Sequence, residues 1–125
     1  MANEIQIDLS LDFAKNTAKT QRQESFKVDV GGNAYHQGIQ VVAAAREDIM
    51  DNSDITDIGY FYLKLLSAPT STTTISFGHD DSTAYAGKLA IGESALLKGR
   101  GGIATLFVIA SAAENAEVEY LIIEA

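Results

Sequence analysis

Ile58-Gly59-Tyr60-Phe61-Tyr62-Leu63-Lys64-Leu65-Leu66 is the densest aromatic and apolar run in the chain, and it lies near its middle. If extended, it places Gly59, Phe61, Leu63 and Leu65 on one face and Tyr60, Tyr62, Lys64 and Leu66 on the other. The first face reads as core. The second is amphipathic and suits a neighbouring sheet or subunit. A strand buried on one side and half-buried on the other belongs at the centre of a β-sandwich.

The flanking segments repeat the period of two. Residues 4–13 alternate Ile5, Ile7, Leu9, Leu11 and Phe13 against Glu4, Gln6, Asp8, Ser10 and Asp12. A helix would scatter these side chains around its circumference. Two placements stay open for this long segment: an ordinary first strand of its own sheet, or an edge strand that adds to a neighbouring subunit. Residues 14–23 are polar and read as a loop or mobile turn. A second strand is expected over 24–30, ended by Gly31-Gly32-Asn33. Residues 35–45 mix strand signals (Ile39, Val41, Val42) with a helix-favouring alanine run, and the β-branched cluster favours a strand ending near Ala44. Further strands are expected over 72–78, 84–91, 103–110 and 117–124, with turns at Pro69, Asp80-Asp81-Ser82 and Gly92-Glu93-Ser94. On the last strand Val118, Tyr120 and Ile122 oppose Glu119, Leu121 and Ile123. The pattern predicts an all-β, antiparallel sandwich of about eight strands with an N-terminal strand or arm. Residues 1–23 form the arm and its polar loop, and residues 24–125 form the sandwich.

Composition narrows the function. The chain has 125 residues, enough for one ordinary core, and no cysteine, so disulfides and thiolate metal sites are excluded. Hydrophobic residues make up 46%, which argues against wholesale disorder. No apolar stretch reaches the length of a membrane span and no signal-peptide pattern opens the chain, so no membrane partner is expected. The net charge is −8, with 17 acidic and 9 basic residues. The basic residues are scattered apart from one loose group, Lys15, Lys19, Arg22 and Lys27. Nucleic-acid binding needs a denser positive surface and is not expected.

Four constellations have residue types that can carry chemistry. Asp48, Asp51, Asp54 and Asp57 recur every three residues. Read as a calcium loop from Asp54, however, they leave Ile58 and Leu65 at ligand positions. His79-Asp80-Asp81 lacks a second nearby histidine or cysteine to complete a metal site. Gly99-Arg100-Gly101-Gly102 lacks the spacing and the Lys-Ser/Thr of a phosphate loop. Ser94 lacks the closing glycine of a nucleophile elbow. No catalytic residue, cofactor or metal is therefore expected, and the chain reads as non-enzymatic. Tyr60 and Tyr62 fit either a subunit interface or a sugar-stacking platform.

The order Asp57-Ile58-Gly59-Tyr60-Phe61-Tyr62-Leu63-Lys64-Leu65-Leu66, a strand ending Phe77-Gly78, an acidic turn, Lys88-Leu89, Gly92-Glu93, Ala95-Leu96-Leu97 and Tyr120-Leu121-Ile122-Ile123-Glu124 resembles small virion structural proteins of tailed bacteriophages. The likeness spans residues 55–124. It departs where Leu65-Leu66-Ser67 stands for an Asn-Leu turn entry and where Ile91-Gly92-Glu93 stands for Pro-Gly-Glu. The resemblance implies a jelly-roll-like sandwich in the role of a capsid decoration (cement) protein. Its partners would be the major capsid protein or other virion proteins, it would associate as a homo-oligomer, a trimer by preference, and it would sit on the capsid surface after synthesis in the host cytoplasm. Under that reading Ile5, Ile7, Leu9, Leu11 and Phe13, or Lys15, Lys19 and Arg22 after them, contact the capsid, and the face of Tyr60 and Tyr62 or the last two strands contact neighbouring subunits. The alternatives are a neck, tail or fibre-attachment component and a carbohydrate-binding β-sandwich.

Overall fold

The computed structural model describes residues 5–29, 35–44, 47–48, 57–79, 85–99, 106–111 and 115–124. All its regular structure is antiparallel β: β1 (Ile5–Lys15), β2 (Ala18–Val28), β3 (Tyr35–Val42), β4 (Glu47–Asp48), β5 (Ile58–Ser67), β6 (Thr74–His79), β7 (Gly87–Ala90), β8 (Ser94–Lys98), β9 (Leu106–Ala110) and β10 (Ala116–Glu124). The chain divides into two compact units, Met1–Gly31 and Gly32–Ala125.

The first unit is a β-hairpin. β1 and β2 pair over their full length, from Ile5 opposite Val28 to Lys15 opposite Ala18. Asn16 and Thr17 make the turn, and Asn16 takes φ 56°, a left-handed conformation that asparagine tolerates better than most residues. The expected loop over 14–23 is thus corrected: Ala14 and Lys15 end β1, and Ala18 to Gln23 begin β2. The expected arm boundary at residue 23 falls inside β2, and the second strand, expected at 24, starts at Ala18. The physical reason is that Ala18–Gln23 bury neither face. Backbone pairing to β1 holds them, without the apolar alternation that marks a strand in sequence. Across the ribbon the Ser25 hydroxyl bonds the Asp8 carboxylate at 2.5 Å.

The second unit is a sandwich of two four-stranded sheets, in the orders β3-β10-β5-β8 and β4-β9-β6-β7. Its connectivity follows one rule. β6 pairs β7, β5 pairs β8, β4 pairs β9 and β3 pairs β10, as in one long folded ribbon. The ribbon then rolls up, so that β10 also pairs β5 and β9 also pairs β6. That is the jelly-roll arrangement expected from the resemblance. The rolling puts β10 between β3 and β5, so the last strand of the chain is internal to its sheet.

The core lies between the sheets. Phe61, Leu63 and Leu65 of β5 and Val118, Tyr120 and Ile122 of β10 face Ile75 and Phe77 of β6, Leu89 of β7, and Leu106, Val108 and Ala110 of β9. The rings of Phe61 and Phe77 meet edge to face at 6.3 Å and 80°, a favourable quadrupole geometry between the two sheets. Strand β3 runs Tyr35–Val42, and the alanine run after it adds no helix among the described residues.

Turns fix how the strands cross between sheets. At the β7–β8 corner the Glu93 amide donates to the Ala90 carbonyl at 3.0 Å, and the Ala90 amide donates to the Glu93 side chain at 2.7 Å. Gly92 holds φ 87° at the third turn position, where a type II turn needs glycine. Its amide bonds the Leu65 carbonyl at 2.8 Å, which ties the corner to β5. The departure from a Pro-Gly-Glu turn therefore costs no turn geometry. At the other end of β8 the Gly99 amide donates to the Gly59 carbonyl at 2.7 Å, and a Cβ on Gly99 would collide with the Ile58 carbonyl.

Gly99→Ala is expected to destabilise the sandwich by about 1–3 kcal/mol through forced backbone shifts, and Leu63→Ala by about 2–5 kcal/mol through a core cavity; urea unfolding monitored by circular dichroism reads both. Deleting residues 116–125 removes an internal strand, and the expected outcome is loss of any cooperative thermal transition.

Candidate interaction surface

The outward side chains of the β3-β10-β5-β8 sheet align in cross-strand rows. Tyr35, Ile123, Tyr60 and Lys98 form one row. Gln37, Leu121, Tyr62 and Leu96 form the next, and Ile39, Glu119, Lys64 and Ser94 the third. Val41 stands opposite Glu117 beyond them. The first two rows are therefore largely apolar and aromatic, with Lys98 and Gln37 at their ends, and Glu119, Lys64, Ser94 and Glu117 make the rest of the face polar apart from Ile39 and Val41. It is open: Tyr35 is 61% exposed, Ile39 60%, Val41 52% and Leu96 40%. Isolated exposed apolar residues are ordinary, but a contiguous group on one sheet face marks an interaction surface.

The cause is the two-residue period of each strand. β5, β10, β3 and β8 each send alternate residues inward, and what remains outside is set by the other half of the alternation. On β5 and β10 both halves contain large apolar or aromatic residues, with Lys64, Glu117 and Glu119 among the outward ones. β3 is also the edge of its sheet, with Tyr35, Ile39 and Val41 along it, and a flat apolar edge is a template for pairing unless something covers it.

Tyr62 and Glu119 sit side by side at the middle of the face. Partial burial raises the Tyr62 phenol above its ordinary value of 10.0, and the Glu119 charge and the hydrogen bond that its carboxylate accepts from the hydroxyl raise it further. An open depression of about 310 Å³ lies here, lined by Gln37, Ile39, Tyr62, Glu119 and Leu121 among others. It is an open dent in the surface.

The hairpin presents a second apolar face. Its register places Ile5, Ile7, Leu9, Leu11, Phe13 and Lys15 on one side, together with Val28, Phe26, Glu24, Arg22 and Thr20. Leu9, Leu11, Phe13 and Phe26 are exposed, at 47%, 62%, 49% and 41%. Lys19 lies on the opposite, polar side with Gln6, Asp8, Ser10 and Asp12. Of the residues that sequence groups as one contact arm, all except Lys19 thus share a face. The Arg22 guanidinium bonds the Thr20 hydroxyl at 3.1 Å and the Gln21 carbonyl at 2.8 Å, which holds it along the ribbon.

Tyr60 and Tyr62 fall together on the sheet face, as their alternation implied. Sequence reasoning left out their neighbours Tyr35, Ile39 and Leu96, and reached Leu121 and Ile123 only through the last strand as an alternative contact. The alternation of each strand was visible, but which strands lie side by side is set by the rolled pairing. Of the four constellations with chemistry-bearing residues, Ser94 opens β8 on the exposed side and His79 ends β6. Asp51, Asp54, Asp80, Asp81 and Arg100–Gly102 lie outside the described residues. Among the described residues no three metal-capable side chains cluster.

No family model matches the sequence, and no curated protein matches it. One solved structure that it resembles, described as "Bacillus endospore appendages form a novel family of disulfide-linked pili", is 20% identical and superposes with a TM-score of 0.39 over 80% of this chain and 98% of that one. A superposition that loose carries no conclusion about function.

The raised phenol gives a direct check on the Tyr62–Glu119 contact. The difference in phenolate absorbance between the protein and its Tyr62→Phe variant is expected to titrate above pH 10. Glu119→Gln is expected to bring the midpoint only part of the way down, because desolvation is the first cause. The sign for stability follows: the proton is held more tightly in the folded state, so this contribution is complete below pH 10 and is lost as pH rises through the folded-state pKa.

Proposed function

We propose that the chain is a non-enzymatic structural protein of a virus particle, a capsid decoration protein that binds across capsid subunits and stabilises the head. The observation that carries this reading is the apolar, aromatic outer face of the β3-β10-β5-β8 sheet, exposed on a jelly roll whose core is already complete. A finished fold gains nothing from such a face. A protein built to adhere needs one, with aromatic anchors at the centre and charge at the rim. The resemblance over residues 55–124 supplies the virion setting, since the fold by itself does not fix a role.

The mechanism is adhesive. Each copy buries apolar surface against its neighbours and thereby opposes local expansion of the shell. Repetition over a lattice lets contacts of modest individual affinity hold collectively. The hairpin, with Leu9, Leu11 and Phe13 exposed, adds a second adhesive element. Its partners in this reading are the major capsid protein and further copies of the chain.

Quantitative mass spectrometry of purified particles tests the role. Decoration predicts on the order of hundreds of copies per particle, because the contact repeats with the lattice. A dozen copies or fewer would move the chain to the neck, tail or fibre attachment. Particles stripped of the protein are expected to rupture at lower temperature and to regain their stability on rebinding. Specific glycan binding abolished by Tyr62→Ala would instead favour the carbohydrate reading.

A further inference from the structure

We infer that the hairpin of one copy docks on the outer face of the β3-β10-β5-β8 sheet of a second copy. This rests on the reading of that face as an adhesive surface and names its occupant. Three observations on the chain itself point to a second copy.

First, the hairpin lacks what it needs to hold its own fold. A lone two-stranded ribbon is marginal in water, and here each strand is 11 residues long. Leu9, Leu11, Phe13 and Phe26 stand exposed along one side. That side requires an apolar cover, and the other side, with Asp8, Ser10, Lys19 and Gln23, does not.

Second, the chain carries a surface of matching character and size. Tyr35, Ile123 and Tyr60, with Leu121, Tyr62 and Leu96 beside them, make an apolar field on the sheet. Four strands span about 15 Å between their outer axes, and an 11-residue strand reaches about 35 Å, so one hairpin can cross the whole field.

Third, charges on the two faces are locally complementary, although residues 1–31 (four basic, five acidic) and residues 32–125 (five basic, twelve acidic) are both net negative, at −1 and −7. Toward the hairpin turn the apolar side ends in Arg22 and Lys15. The sheet face has Glu117 and Glu119 on β10, next to Ile39 and Val41 at the edge. A hairpin laid with its turn toward that edge sets cations against carboxylates, which orients the contact and speeds encounter.

Such a contact joins two different surfaces. It is heterologous, so each copy gives one hairpin and receives one, and a rotation that closes makes a small ring. This distinguishes it from two sheet faces pairing with each other.

The test uses the full-length chain and size-exclusion chromatography with light scattering. An arm variant carries Leu11→Glu and Phe13→Glu, and a face variant carries Ile39→Glu and Leu96→Glu. All four positions are solvent-exposed. Cooperative thermal unfolding by circular dichroism confirms that each variant is folded. The wild type is expected to be an oligomer that weakens as salt is raised. Each variant alone is expected to be a monomer. An equimolar mixture is expected to give dimers, since one intact hairpin meets one intact face and the chain of contacts stops there. A monomeric wild type would overturn the inference, as would an arm variant that stays as large as the wild type, or a mixture that stays monomeric. A monomer that still coats particles would leave the proposed function standing and remove only this contact. An oligomer absent from every particle would do the reverse.

Discussion

The structure depends on the pairing of β10 with β5. It brings together the two strands with the cleanest inward alternation, Phe61, Leu63 and Leu65 beside Val118, Tyr120 and Ile122. These six side chains form most of one wall of the core, and Phe77, Ile75 and Val108 form much of the other. The pairing also joins residues far apart in sequence. It therefore converts a folded ribbon into a rolled one, with β3 carried along at one edge and β8 at the other. Lose it, and the inner faces of both sheets lose their cover together.

That constraint also decides the outside. Since the strand period is two, fixing which residues point inward fixes which point outward. β5 and β10 have apolar or aromatic residues in both sets. Most soluble sheets place polar side chains on the solvent side. Here the solvent side holds Tyr60, Tyr62, Leu121 and Ile123 in adjoining rows. The exposed face is a property of the sequence at the most buried strands of the fold, where a register slip would be punished at once. Its apolar character thus has a stable geometry to act from, as an interface requires. The hairpin is the opposite case: its register is regular, but no core of its own enforces it.

Much of this was legible in the sequence. The alternation at 58–66 and 117–124 gave the inner and outer faces directly, and the Gly, Asp and Asn turns gave the all-β class. The jelly-roll order came from the resemblance, because no local signal says that β3 pairs β10 across most of the chain. The hairpin was half read. Ile5 to Phe13 announced β1, but Ala18 to Gln23 have no apolar period, and a strand held only by backbone pairing leaves no such mark. The expected subunit contact was the face of Tyr60 and Tyr62 or the last two strands, and the structure sets Tyr60, Tyr62, Leu121 and Ile123 on one face. Tyr35, Ile39 and Leu96 join it by register alone. Lys19 left the group for a similar reason: its parity on β2 puts it on the polar side.

The proposed role requires that the outer face of the β3-β10-β5-β8 sheet be covered by protein wherever the chain does its work. A cryo-electron microscopy map of the assembled form, at a resolution that separates strands, tests it most directly. The expected result is protein density lying over Tyr62 and Leu121 in every copy. A map in which that face meets only solvent would contradict the account.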